Sequence, residues 1–359
     1  VPMPSLPQTM RVARLYDVHD IRVEEMDVPP VGERDILVRT VACGICSGDI
    51  LPWYIRRKAP VVFGHEPVGV VVCVGAAVRE FRVGDRVFIH HHAPCFRCRF
   101  CRRGHYSLCP TWRRSRIIPG GMAEYLLVPE GNLADTLVLP DTLSWEDGVL
   151  IEPTACVVRS LRRAALQEGD AVVVIGLGIM GMLHLRLARA WGAHPVIGVD
   201  RREARCRLAE QLGDIHTLHA EREDVPERVR ELTGGEGADV VIVGPGSSEA
   251  LTLGIACAGP GSRVILFTPT PPEEQCAIRP YHLYLNEISL IPSYSCGPPD
   301  TREALRWIER GAIRARDLPL HRFPLERVSE AFQAMARAEI VKAIICFDPA
   351  LLEDGDAQP

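Results

Sequence analysis

The 359-residue sequence contains no apolar run long enough to span a bilayer, so no transmembrane helix is expected. It has no surplus of positive charge. Its 46 acidic residues against 41 lysines and arginines leave a net charge of -5, which argues against bulk attraction to nucleic acid or anionic lipid. The first ten residues hold several prolines but neither a basic head nor an apolar middle. They do not read as a signal peptide and are expected to form a loose arm. The end, Glu353 to Pro359, is expected to fray. Internal repeats and low-complexity tracts are missing too. Cysteine, by contrast, is plentiful: thirteen residues, an odd total, with four clustered and the rest scattered. That usage fits reduced thiols in a cytoplasm better than a disulfide framework.

The length allows two domains, each with its own core. From Arg11 to Val128 the chain is rich in Val, Gly and Pro in short runs. Strands are expected at Ile36 to Val41, Val68 to Val74 and Arg86 to Ile89. Short strands with frequent turns suggest a small β-barrel or sandwich. The period then changes. Ala171 to Ile175 is a continuous apolar run, as in a parallel strand buried on both faces. A helical pattern runs on to Trp191, and further strands are expected at Val196 to Val199, Asp239 to Val243, Arg263 to Phe267 and Ile288 to Ile291. Helical segments near Arg201 to Leu212 and Ser248 to Cys257 alternate with them, which means a doubly wound α/β domain. A helix at Thr301 to Arg310, a further short helix and a strand at Ala343 to Phe347 close the chain.

Three motifs carry chemistry. Cys46-Ser47-Gly48-Asp49 is followed by Gly64-His65-Glu66. Thiolate, imidazole and carboxylate are the side chains that hold a catalytic zinc with one position left open. Asp49 is placed to accept the other ring proton of His65 and fix its tautomer. Next, Cys95-x2-Cys98-x2-Cys101-x7-Cys109 offers four thiolates at short spacing, enough to saturate a tetrahedral zinc. Seven arginines lie between Arg97 and Arg116 in the same lobe. A basic zinc ribbon can bind nucleic acid, but aromatics are few and the ribbon sits inside a larger domain, so a solvated or subunit-facing surface is expected. His90-His91-His92 precedes the lobe. Neighbours on a strand point to opposite faces, so the three cannot share one ion.

The third motif is Gly176-Leu177-Gly178-Ile179-Met180-Gly181, with Asp200 nineteen residues after Gly181. It follows a buried strand and opens a helix. Its glycines let backbone approach a pyrophosphate, the helix N-terminus stabilises the phosphate charge, and the acid accepts hydrogen bonds from ribose hydroxyls. Asp200 should repel a 2′-phosphate, so NAD is preferred to NADP. Arg201 and Arg202 follow at once and soften that preference.

Together with Gly84-Asp85-Arg86-Val87 and Gly120-Gly121-Met122-Ala123-Glu124-Tyr125, these motifs resemble the zinc-dependent medium-chain dehydrogenase/reductase family, in its alcohol, sorbitol and threonine dehydrogenase branches. The likeness runs from about Arg11 to Phe347. It implies a GroES-like β domain, residues 1–153 and 297–359, interrupted by a Rossmann domain, residues 154–296. It implies two zinc ions per chain, a nicotinamide cofactor, a small alcohol or polyol substrate and a homodimer or homotetramer, without nucleic-acid or membrane partners. By the same likeness Cys46 and His65 are zinc ligands, and Glu66 is the third ligand or a carboxylate just behind the metal. Glu152, in Ile151-Glu152-Pro153, stands where liver-type enzymes have a second zinc cysteine. Lys342 falls where the family often puts a basic residue on the cofactor pyrophosphate. His92 sits where the threonine dehydrogenases have a pocket histidine.

Two positions depart from the family pattern. The usual proton-relay hydroxyl is replaced by Gly48, so Ser47, or water with Glu152, is expected to take the proton. Val243-Gly244-Pro245-Gly246 replaces an acidic-then-small turn. The expected reaction is oxidation of a secondary alcohol, most of all a polyol, cyclitol or sugar alcohol. Trp53 to Lys58 is expected as a polar pocket wall or a solvated loop, and an anionic sugar would fit if Arg56 or Arg57 faced inward.

Overall fold

The computed structural model describes residues 6–353. The expected arm over residues 1–5 and the frayed end over 354–359 lie outside the described residues. The rest of the arm is shorter than expected, because a strand already begins at Thr9. In Thr9–Asp17 the residues Met10, Val12 and Leu15 turn inward while Arg11 faces solvent. This strand pairs antiparallel with Asp20–Asp27 and with the short strand Val61–Val62.

The chain separates into two compact units. One holds the residues up to Glu152, Cys296–Leu305 and the chain from Pro319 onward; the other holds Pro153–Ser295 and Arg306–Leu318. The tail was expected to belong wholly to the first unit, and the structure differs at Arg306–Leu318. That segment is held by the second unit: Trp307 packs on Trp191 with ring centroids 5.7 Å apart, and Arg186 donates to the carbonyl of Ala312 and to Asp317 at 3.1 Å.

The first unit is built on a sheet in the order Leu320–Pro324, Lys342–Cys346, Ile36–Gly44, Glu66–Val74, Arg86–Ile89, Thr136–Val138, with Tyr125–Val128 also paired to Ile36–Gly44. Its register decides the chemistry. Gly44 lies opposite Glu66 on one side and Ile344 on the other. Ala13, Ile45, Phe63, Met122 and Phe332 pack one core on this sheet. Phe63 and Phe332 meet edge to face at 6.1 Å, an arrangement that aromatic quadrupoles favour.

The second unit is a parallel sheet. Taken in sequence, its strands are Val172–Ile175, Val196–Asp200, His216–His219, Ala238–Val243, Ala258–Leu266 and Ser289–Pro292. In space they run third, second, first, fourth, fifth, sixth, the order of a dinucleotide-binding fold. The first strand is apolar throughout and fully buried, as its central place between two neighbours requires. The edge strand His216–His219 was not expected, because His-Thr-Leu-His carries no apolar run.

Candidate catalytic and cofactor sites

Cys46 leaves the end of strand Ile36–Gly44 and caps a turn of 3-10 helix, Ser47–Ile50. Its sulfur accepts the backbone N–H of Gly48 at 3.3 Å. His65 and Glu66 enter strand Glu66–Val74 on the neighbouring rung. One donor atom from each of Cys46, His65 and Glu66 lies within 4.8 Å of the others. The His65 Nδ1 is 3.2 Å from Asp49 Oδ2, which leaves Nε2 for the centre. Burial works against charge on His65, but Asp49 and Cys46 outweigh it and raise the ring well above its ordinary value.

Glu66 is buried, and Lys342 donates to its Oε2 and to the carbonyl of Ile45. The Glu66 Oε1 is buried with no hydrogen-bond partner. Burial pushes this carboxyl up, Lys342 pulls it down and the nearby Glu152 pushes it up again. Such an orphaned oxygen beside a thiol and an imidazole has an incomplete polar environment. A zinc ion among the three would complete it, and the donor chemistry suits that metal. Gly44 makes the pair possible. A Cβ there would stand 1.9 Å from Glu66 Oε2 and 3.0 Å from the Lys342 Cε.

In the four-cysteine lobe all four sulfurs lie within 4.8 Å of one another. Cys98 and Cys101 are 3.5 Å apart and Cys95 and Cys109 3.6 Å. Tetrahedral Zn–S bonds of about 2.3 Å give edges of about 3.8 Å, so the lobe has the size of a zinc site. Backbone N–H groups of Arg97 and Cys98 help lower the Cys95 thiol to about 6.

In the other unit, helix Ile179–Ala190 starts at Gly178 without a side-chain cap. Its first N–H groups are therefore open to an anion. A Cβ on Gly178 would meet nothing within 4 Å, whereas one on Gly181 would meet the Gly176 carbonyl at 2.0 Å. The loop is thus tight beneath and open above, a cradle that fits a pyrophosphate. Asp200 ends the next strand, and its two oxygens accept the N–H of Leu177 at 2.7 Å and of Arg202 at 2.8 Å. Arg201 and Arg202 are exposed.

A model of the GroES-like domain of alcohol dehydrogenases matches residues 32–141, and one of the zinc-binding dehydrogenases matches 178–310. An uncharacterised zinc-type alcohol dehydrogenase-like protein of Escherichia coli K12 is 31% identical, over 95% of this chain and 99% of its own. The chain belongs to the zinc-dependent medium-chain alcohol and polyol dehydrogenase family. The sorbitol dehydrogenase of Bombyx mori is similar at 30% identity, covering 93% of this chain and 97% of that one. A zinc-binding dehydrogenase of Sinorhizobium meliloti 1021, solved bound to NADP, superposes with a TM-score of 0.85 at 31% identity, covering 95% and 100% of the two chains.

Several residues of this dehydrogenase stand elsewhere than expected. Lys342 was expected on the cofactor pyrophosphate. Its ammonium is fully buried and committed to Glu66 and Ile45, so it braces the metal-type centre instead. The charge of Glu152 acts on Glu66 and Lys342, so it borders the same centre. From the first turn of helix Ile151–Arg163 it joins His90 and His91, again within 4.8 Å. His92 packs at 4.3 Å on Trp112, with Nδ1 2.6 Å from the Ser115 carbonyl. Trp53 to Lys58 forms helix Pro52–Lys58, and Arg56 and Arg57 face solvent. Lys58 lies over Tyr54 and reaches to 4.0 Å from Asp49 Oδ1. The sequence pattern gave no sign of the His90 and Asp135 pair, buried and 2.5 Å apart, because the partners are 45 residues distant.

Proposed function

We propose that this dehydrogenase interconverts a secondary alcohol of a polyol, cyclitol or sugar alcohol with its ketone, using NAD. The supporting observation is the donor set itself: one thiolate, one imidazole, and the Glu66 oxygen left without a partner. Cys46, His65 and Glu66 would hold the zinc, which when bound supplies Lewis acidity to the substrate oxygen. The nicotinamide, when bound, supplies the hydride acceptor. Glu66, a carboxylate beside a single thiol and an imidazole, makes this donor set harder than the all-sulfur set of the lobe, suited to a substrate that brings a second oxygen.

The chain's own residues do the positioning. Asp49 fixes the ring of His65, and Lys342 fixes one oxygen of Glu66 so that the other points at the centre. Ser47, next to the Cys46 thiol, relays the alcohol proton, passing its own hydroxyl proton on to solvent as it accepts the substrate's, in place of the hydroxyl missing at Gly48. The backbone of Gly176, Gly178, Ile179, Met180 and Gly181 receives the pyrophosphate. Asp200 receives the ribose hydroxyls, and its negative charge opposes a 2′-phosphate, with Arg201 beside it. Cys95, Cys98, Cys101 and Cys109 would hold a second, closed zinc.

Among the described residues no cysteine is in a disulfide, which supports work in a reducing cytoplasm. Among the described residues no helix is long and apolar enough to cross a membrane. The outward Arg56 and Arg57 give no support to an anionic sugar, and the Trp112 contact of His92 gives none to an L-threonine-type reaction. We take the arginines of the lobe as a subunit-facing or solvated surface of a homodimer or homotetramer.

The test is initial-rate comparison of a secondary vicinal diol with a primary alcohol of similar size, each with NAD and NADP. A higher kcat/KM for the diol with NAD is expected. Preference for the primary alcohol would sink the polyol reading. Preference for NADP would move the ribose role from Asp200 to Arg201 or Arg202.

A further inference from the structure

One buried histidine of the second unit has no part in the proposed reaction. Every other buried residue of helix Ile179–Ala190 is aliphatic, Met or Gly; His184 alone is polar. A leucine would fill its place without the cost of burying an imidazole. Packing therefore does not call for a histidine here.

The ring is bonded at both nitrogens. Its Nδ1 is 2.7 Å from the carbonyl of Met180, and its Nε2 is 2.6 Å from Oγ of Ser160 on helix Ile151–Arg163. Ser160 and His184 are both buried, and Phe267 meets the ring edge to face with centroids 4.7 Å apart. Burial pushes the imidazole down to about 4, so at neutral pH it has one N–H to place. A carbonyl only accepts, so that proton sits on Nδ1 and is donated to Met180. Nε2 then accepts from the Ser160 hydroxyl, whose alternative is the Val157 carbonyl at 2.8 Å. Tautomer and orientation of the ring are both set.

What the ring holds is the cofactor loop. Met180 lies in the glycine motif, and its carbonyl shares one planar peptide unit with the Gly181 N–H. In a helix the carbonyls aim toward the C-terminus and the N–H groups toward the N-terminus. The ladder begins with the Met182 N–H, which donates to the Gly178 carbonyl at 2.9 Å. The Gly181 N–H thus lies ahead of the ladder, on the side that receives an anion. A hydrogen bond to the carbonyl end of a peptide unit fixes its plane and polarises its N–H end.

We propose that His184, oriented by Ser160, is a positioning residue for the dinucleotide pyrophosphate, acting through the Met180–Gly181 peptide. The inference rests on the reading of Gly176 to Gly181 as the cofactor loop.

The experiment compares His184→Thr with His184→Val in the full chain. The two leave cavities of the same shape, but a threonine in a helix can donate to the carbonyl four residues back and a valine cannot. Fluorescence titration with NADH should show the Val variant weaker than the Thr variant by about 2- to 10-fold, the range of one net hydrogen bond. ADP-ribose, which has the pyrophosphate but no nicotinamide, should show the same ratio. The KM for NAD should follow that order, with the KM for the alcohol unmoved. Ser160→Ala removes only a hydroxyl, so it serves where the ring's cavity unfolds the chain; NADH should bind it more weakly than wild type. Equal NADH affinity in the Thr and Val variants overturns the proposal, as does wild-type affinity in Ser160→Ala. A ratio seen with NADH but not with ADP-ribose also overturns it, because the effect would then lie at the nicotinamide. A wild type that binds neither ligand sinks the reading of the loop as well, so the two failures are distinct.

Discussion

The four-cysteine lobe and the Cys46 centre are both sets of metal-type donors, yet they are built in opposite ways. The lobe takes all its donors from Cys95 to Cys109, one short loop, and closes on itself with four sulfurs. The centre takes Cys46 from one strand end, His65 and Glu66 from the next, and its brace Lys342 from a strand 276 residues away in sequence. A closed set of identical ligands can do little but hold structure. A mixed set with an orphaned oxygen and an external brace keeps a position free for chemistry. The difference should show in what each can lose.

The largest effect is expected at the centre. Cys46→Ala or His65→Ala should lower kcat/KM by at least about 10^3-fold, since a bound metal contributes several kcal/mol to such a reaction. Dinucleotide binding and the zinc of the lobe should remain, as read by fluorescence titration and metal analysis. The opposite change, Cys98→Ser, should remove the lobe zinc and lower the melting temperature first. If Cys46→Ala kept normal zinc and normal turnover, the contrast between the two regions would collapse.

Lys342→Met comes next. It leaves Glu66 buried and unpaired, which costs about 3–5 kcal/mol where a buried ion pair loses one partner. Weaker zinc retention at the centre and a lower melting temperature are expected, with the lobe zinc retained. Lys342→Arg should restore much of both if the brace is a matter of charge. Full zinc retention in Lys342→Met would show that Glu66 needs no brace.

This contrast also explains what the sequence could tell. The lobe was legible because its geometry is local: four cysteines at short spacing need no fold to be recognised. The first strand of the parallel sheet was legible for a similar reason, since Val172–Ile175 is apolar on both faces. The hairpin Thr9–Asp27 was not, because Arg11, Arg14, Glu24 and Glu25 hide its alternation under charge. Cys46, His65 and Glu66 could be named as donors from their types. The brace could not be seen, because only the register of three strands puts Lys342 against Glu66 and makes Gly44 obligatory between them. Likewise nothing in the order of residues joins Glu152 to His90 and His91. A helix start and a strand end meet there only in the folded unit.

Chelation separates the regions by rate. A chelator has an open coordination position to attack at the Cys46 centre and none in the lobe. Activity should therefore fall well before the far-ultraviolet circular dichroism changes, and added zinc should restore it. Loss of activity only together with unfolding would count against an open centre.

The smallest effect is expected at Gly48. A Cβ built there would meet only the Cys46 sulfur, at 3.5 Å, an ordinary contact. The turn Ser47–Ile50 should thus accept Gly48→Ser without displacing the thiolate. A well-placed proton acceptor contributes about 10^2- to 10^4-fold to catalysis when nothing else serves. Ser47 already offers a hydroxyl one residue away, so the gain from a second should be far below that range, with kcat rising less than about tenfold. Zinc content at both regions should be unchanged. A much larger rise would mean that Ser47 does not take the proton and that the native site works without a relay. A loss of zinc from the centre alone would mean that the glycine is there for the fit of the thiolate. The measurement is kcat against pH for both proteins, with metal content determined on the same samples.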